Sequence, residues 1–171
     1  MIRAKVLNLI NSDADTLKAV FAGADKTVNH HERLRQLTVG TGQLAALLRD
    51  PGWSKGHLRR VYGFCTGWLV ALGEKHTTVL VEAERAQQEE LFQAGKHLFT
   101  CSSPVVDEVR KLGVLVEELG EIADAIENLE KATVRDAKLA FDSLQHRYLV
   151  NEIVQVAAVA VAWLEAKEAK Q

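Results

Sequence analysis

From Ile153 to Leu164 the chain is apolar on every face of a helix, with Gln155 the single interruption. A helix of that kind has no side to show to water, so the rest of the chain must surround it. Its ends are polar, with Asn151 and Glu152 before it and Glu165, Lys167 and Glu168 after it. The apolar stretch is too short to cross a bilayer. The economical solution is an antiparallel helical bundle with this segment at its centre.

The rest of the sequence agrees with an all-α fold. Only two prolines and 6% aromatic residues accompany a 47% apolar content, and Ala, Leu, Val and Glu favour helices over a β-sandwich or barrel. Periodicity predicts helices over 13–23, 29–49, 56–74, 78–96, 105–131 and 145–169, with a short one over 3–10. Asp50-Pro51-Gly52 reads as the end of one helix, and Pro104 reads as the start of another. The segment 105–131 has the clearest pattern: Leu112, Leu115, Leu119, Ile122, Ile126 and Leu129 form one stripe. MIRAKVLNLINSDAD lacks the apolar core and cleavage site of a signal peptide. Cys65 and Cys101 match no metal or redox spacing. Both features predict a cytoplasmic protein with reduced thiols and no membrane.

Charge is unevenly placed. Residues 1–80 carry eleven Lys/Arg against six Asp/Glu, and residues 81–171 carry ten against seventeen, giving about +5 and −7. Such a split fits two halves that attract, 1–75 and 76–171, packed as one unit. It is too modest to point to nucleic acid. A repeat fits the same division: aligning His31–Leu47 with Val109–Ala125 pairs Leu34 with Leu112, Leu37 with Leu115, Gly42 with Gly120 and Ala45 with Ala123. Leu58–Glu74, with Trp68, then corresponds to the final helix, with Trp163. In this alignment Gly40 and Gln43 stand opposite Glu118 and Glu121, and Arg59 and Arg60 lie near the counterpart of Glu152. The first half would be a degenerate partner of the second, an internal pseudo-dimer offering arginines to an acidic site.

The residues that suggest chemistry lie in Glu117-Glu118-Leu119-Gly120-Glu121. Glu118 and Glu121 are one helical turn apart, so their carboxylates share a side. Glu118 falls at the border of the apolar stripe, where a side chain faces a cleft. Two close carboxylates repel unless a cation lies between them, and oxygen donors suit Mg²⁺ or Mn²⁺. Glu152 opens the buried helix, and Gln155 follows at the same spacing, an amide that needs a partner among apolar neighbours. Acidic pairs at this spacing also occur on ordinary solvated faces, and Gln155 could bridge two helices. It is the combination that points to a metal site.

VEELGEIADAI (Val116–Ile126) followed by NEIVQVAAVAVAWLEA (Asn151–Ala166) resembles the MazG-like all-α nucleoside-triphosphate pyrophosphohydrolases. The likeness covers about residues 80–168. That family carries an E-x-x-E pair on one helix and an E-x-x-D pair on the next, and these four side chains bind Mg²⁺. The resemblance implies metal ligands at Glu118, Glu121, Glu152 and Gln155, with Gln155 standing where the pattern has Asp. It implies Mg²⁺, or Mn²⁺, as cofactor and a nucleoside triphosphate as substrate, split to a monophosphate and pyrophosphate in a house-cleaning reaction. Glu121 is the first candidate for the base that accepts the water's proton. Lys96 and Lys111, with Arg59 and Arg60 from the other half, are candidates for binding phosphates. The family commonly forms homodimers, a need that an internal pseudo-dimer would reduce.

Two other functions follow from the same residues. The bundle could have lost turnover, with Gln155 for Asp, and act as a binding or structural protein. Residues 38–62 could form a helix-turn-helix DNA reader, although the loop is long and the basic residues few.

Overall fold

The computed structural model describes residues 29–48, 51–135 and 144–170, and among them it is all-α, with no strand. Five helices follow in order: α1 (His30–Ala46), α2 (Pro51–Ala71), α3 (Thr77–Gln93), α4 (Glu108–Arg135) and α5 (Leu144–Ala169). The helices expected over 3–10 and 13–23 lie outside the described residues. So does most of the connection between α4 and α5.

Local chemistry explains where each helix starts and stops. Asn29 caps α1 by accepting the Glu32 N–H at 3.0 Å. Asp107, not Pro104, caps α4, accepting the Arg110 N–H at 2.8 Å. Pro104 sits in the preceding turn. Pro51, expected to end α1, instead opens α2 as its first residue, where its missing N–H has no intrahelical partner to lose. α2 and α3 each end about three residues earlier than periodicity suggests. Both run into a glycine with positive φ, Gly73 at 95° and Gly95 at 71°. Each has the paired closing bonds of a left-handed cap: Gly73 and Glu74 donate to Val70 and Leu69, and Gly95 and Lys96 donate to Phe92 and Leu91.

α5 is the centre of the bundle. Residues Ile153, Val156, Ala157, Val161, Trp163 and Leu164 are buried, and so are nearly all between them. The helix packs on α2, α4 and α3. By length and composition α5 as a whole, longer than its apolar core, could cross a membrane, yet 89% of its most apolar window is buried in the bundle. α1 closes the other side, packing on α2 and α4.

Polar contacts at the helix ends fix the directions. His31, at the start of α1, meets Glu130, late in α4, at 2.8 Å. Lys55, at the start of α2, meets Glu168, at the end of α5, at 2.9 Å. The His30 ring stacks on Trp68, with centroids 6.1 Å apart, and Trp163 donates to Glu108 at 2.6 Å. Hence α1–α2, α4–α5, α1–α4 and α2–α5 are all antiparallel neighbours.

The two hairpins, α1–α2 and α4–α5, also match in detail. The register that sets Asn29 on Asp107 as caps sets His30 on Glu108. These two residues contact Trp68 and Trp163, which correspond in the second helix of each hairpin. Burial follows the same register: Leu37 and Leu115, Thr41 and Leu119, and Leu44 and Ile122 are buried in pairs. α2 buries Val61, Tyr62, Cys65, Trp68 and Leu69 in the bundle.

One buried ion pair ties α3 to the central helix. Arg85, 3% exposed, reaches Glu165 on α5 at 3.1 Å and donates to Gln88 at 3.2 Å. Removing one partner of such a pair leaves a buried charge uncompensated. Arg85→Ala should cost about 3–5 kcal/mol in urea denaturation, whereas R85M/E165L should recover at least half of that loss. Equal losses in the two variants would show that the pair itself is not what matters.

Candidate functional site

α4 and α5 meet along an apolar seam built by Leu115, Leu119, Ile122 and Ile126 on one side and Leu149, Ile153 and Val156 on the other. Carboxylates flank this seam. Glu118 and Glu121 project from α4 and Glu152 from α5, each offering an oxygen within 4.8 Å of the others. Glu152 is 3% exposed, Glu118 half-buried and Glu121 partly exposed. Among the described residues none of the three forms an ion pair with Lys or Arg, and Glu118 Oε2 is buried without a hydrogen-bond partner. The structure therefore brings together Glu118, Glu121 and Glu152.

Gln155 lies beside them with its amide NH₂ donating to Glu152 Oε2 at 2.8 Å. In this arrangement it orients Glu152, and its remaining carbonyl oxygen is the atom available to a cation. An Asp at this place would add another negative charge to a cluster that already repels itself.

Glu118, Glu121 and Gln155 line a cleft of about 560 Å³, a volume suited to a small ligand, with Glu152 buried behind them. α3 supplies the facing wall with Glu84, Gln88 and Leu91. The left-handed turn at Gly95 sends residues 96–101 back along the rim, where Lys96, Leu98 and Phe99 line the opening. Arg110 lies over Phe99, 5.3 Å from the ring centroid. Glu84 is a site residue that sequence reasoning missed. Nothing in the spacing of TVLVEAERAQQEE (Thr78–Glu90) distinguishes it from Glu82, Glu89 or Glu90; only the packing of α3 selects it.

The expected phosphate binders fare differently. Lys96 lines the cleft. Lys111 does not: it is 0% exposed on the inner face of α4, and its Nζ has no hydrogen-bond partner. Arg59 and Arg60 do not line the cleft either, because every lining residue lies between Glu84 and Val159. The reason is topological. The antiparallel pairing of the hairpins carries the positions matched to Glu152 and Gln155 away from the acidic wall.

Burial and mutual repulsion shape the titration of the cluster. Glu118 is pushed up to about 8, first by burial and then by the charges of Glu121, Glu152, Glu117 and Glu84. Glu152 is also pushed up, by burial, by a hydrogen bond shared with Glu121, and by the charges of Glu121 and Glu84. Burial raises Cys101, at the cleft, to about 11, so it is not a thiolate nucleophile at neutral pH. Acidic side chains that hold protons this tightly release them to a divalent cation, whose charge inverts the cost of ionisation. The all-oxygen donor set fits Mg²⁺ or Mn²⁺.

No protein-family model, curated protein or solved structure matches this chain.

The raised carboxyls set the sign of a pH effect. A folded-state value above the unfolded ~4.3 gives stability that is intact in acid and lost as pH rises through about 8. Without metal, the melting temperature should fall between about pH 5 and pH 9. Mn²⁺ should reverse that fall, most strongly at the alkaline end. Glu118→Gln should flatten the profile and raise the metal-free melting temperature at pH 8 by about 2–4 °C, the shift that about 1 kcal/mol produces at this chain length. A metal-free melting temperature that climbs over the same range would exclude the buried-acid account.

Proposed function

We propose that this chain is a MazG-like, Mg²⁺-dependent nucleoside triphosphate pyrophosphohydrolase. The observation that carries this reading is the convergence of Glu118, Glu121 and Glu152 from two helices, partly dehydrated and with no Lys or Arg partner among the described residues, with Glu118 and Glu121 lining a nucleotide-sized cleft. It is supported by the resemblance of Val116–Ile126 and Asn151–Ala166 to the paired acidic motifs of that family.

Glu118, Glu121 and Glu152 would hold the cation, with the Gln155 carbonyl in reach as a neutral fourth donor. Bound there, Mg²⁺ supplies neutralisation of phosphate oxygens and a more acidic water. Glu121, the more open carboxylate, accepts the proton of the water that attacks the phosphorus, and the bond between the α- and β-phosphates breaks to leave a monophosphate and pyrophosphate. Glu84, on the opposite wall, faces the cluster and adds a further negative charge that a cation must offset. Lys96 on the rim meets the anionic tail of the substrate. The apolar rim at Leu98 and Phe99 gives the nucleoside a surface away from the charges.

We further infer that the α1–α2 and α4–α5 hairpins are a degenerate internal pseudo-dimer. Equivalent caps at Asn29 and Asp107, equivalent tryptophan contacts at His30 and Glu108, and antiparallel packing of α1 on α4 and α2 on α5 support it. A single chain would then hold what a homodimer supplies elsewhere, with one acidic cleft.

A second reading rests on Gln155. With its NH₂ on Glu152, the cluster has three anionic ligands from the two motifs where the family has four, which favours a protein that binds a metal–nucleotide without cleaving it.

Pyrophosphate release from a panel of ribo- and deoxyribonucleoside triphosphates separates the two. Hydrolysis should require Mg²⁺ or Mn²⁺, and Glu121→Gln should lower kcat by about 10²–10⁴. Absence of turnover across the panel, with Mn²⁺ and nucleotide binding intact, would select the binding protein.

A further inference from the structure

The correspondence between the hairpins extends to the site itself. The register fixed by the caps places Gly40 at the position of Glu118 and Gln43 at that of Glu121. The register fixed by Trp68 and Trp163 places His57 at the position of Glu152 and Arg60 at that of Gln155. These two registers are not independent choices. In each hairpin the first residue of the first helix touches the tryptophan near the end of the second, through His30 on Trp68 and Glu108 on Trp163. The shared end contact, with the paired burial of Leu37 and Leu115, Thr41 and Leu119, and Leu44 and Ile122, supports a similar register in the two hairpins.

Burial agrees at each of the three positions. Gly40 is half-buried like Glu118, and His57 is buried like Glu152. Gln43 is open toward solvent, as the counterpart of the more open Glu121 would be. A Cβ added to Gly40 meets nothing within 4 Å, so this place has room for a side chain.

We propose that the α1–α2 hairpin retains the frame of a second divalent-cation site, disarmed by the loss of its carboxylates at Gly40 and Gln43. His57 holds the place of the third ligand. Imidazole is itself a ligand for Mn²⁺, Co²⁺ or Zn²⁺, so two restored carboxylates and His57 make a mixed oxygen–nitrogen set. In the natural sequence this hairpin has no anionic ligand at the three positions, and the chain binds a cation on one side only. This rests on the reading of Glu118, Glu121 and Glu152 as cation ligands, and the test separates the two.

The experiment is Mn²⁺ titration of the full chain, with free Mn²⁺ followed by electron paramagnetic resonance and folding checked by circular dichroism. Wild type should bind one Mn²⁺ and G40E/Q43E two. Adding His57→Ala to G40E/Q43E should return the count to one, which an ordinary surface pair of glutamates would not do. E118Q/E121Q should bind none, and combining it with G40E/Q43E should give one, moving the site from one hairpin to the other. Gln43 is exposed and a Cβ on Gly40 meets nothing within 4 Å, and replacing a mid-helix glycine favours the helix. One Mn²⁺ in wild type and one in G40E/Q43E would overturn the proposal while leaving the acidic cluster as a metal site. None in wild type and one in G40E/Q43E would overturn the cation reading of Glu118, Glu121 and Glu152 and leave the frame standing. A gain that survives His57→Ala would overturn the frame, since it would come from the carboxylate pair alone.

Discussion

The architecture depends on a helix that cannot be exposed. α5 is buried almost throughout from Leu149 to Lys167, so every other described helix except α1 is held against it. Burying one such helix removes several large apolar side chains from water, each worth roughly 1.5–3 kcal/mol. The same burial carries Glu152 and Glu165 into the interior. Helices that cover α5 must therefore also answer its charges, and they do so in two opposite ways.

At the C-terminal end the charges are compensated. Arg85 meets Glu165, and Lys167 reaches Glu108 at 2.7 Å while Trp163 donates to the same carboxylate. Burial works against ionisation of Glu108, yet these two hydrogen bonds and the Lys167 charge hold it below its usual range. Its place in the first turn of α4 adds the favourable end of the helix dipole. Near the N-terminal end of α5 no Lys or Arg compensates the charge among the described residues. Glu152 finds Glu118 and Glu121 there, and the Gln155 amide donates to it. This contrast, with buried charges neutralised at one end and like charges gathered at the other, is what the proposed cation site rests on.

The matching hairpins place this asymmetry in context. His30 and Trp68 occupy the positions of Glu108 and Trp163, but the hydrogen-bonded, lysine-assisted contact of one hairpin is a ring stack in the other. On the proposed pseudo-dimer, the frame is kept while the chemistry differs. Conserving caps and apolar spacing is enough to keep a hairpin packed, because packing depends on volume and period more than on identity. A site has no such tolerance, since losing two of three ligands leaves too few to hold a cation. The folding constraint and the chemical constraint thus act on different residues of the same helices.

The amino-acid sequence by itself determined the all-α class, the central place of α5 and the spacing of Glu118, Glu121, Glu152 and Gln155, because helical periodicity and turn-spaced carboxylates are local properties of the chain. It also held the caps at Asn29 and Asp107, though Pro104 concealed the second, and the glycines that stop α2 and α3 were legible only as unmarked residues within periodic runs. What the tertiary structure alone decided is which distant side chains share a cleft. Glu84 faces the acidic cluster across the cleft, Lys111 turns inward, and Arg59 and Arg60 do not line the cleft, although their types and spacings in the sequence are unexceptional. Those outcomes depend on how α3 lies along α5 and on the antiparallel pairing of two hairpins, which are relations between helices and leave no period within any one of them.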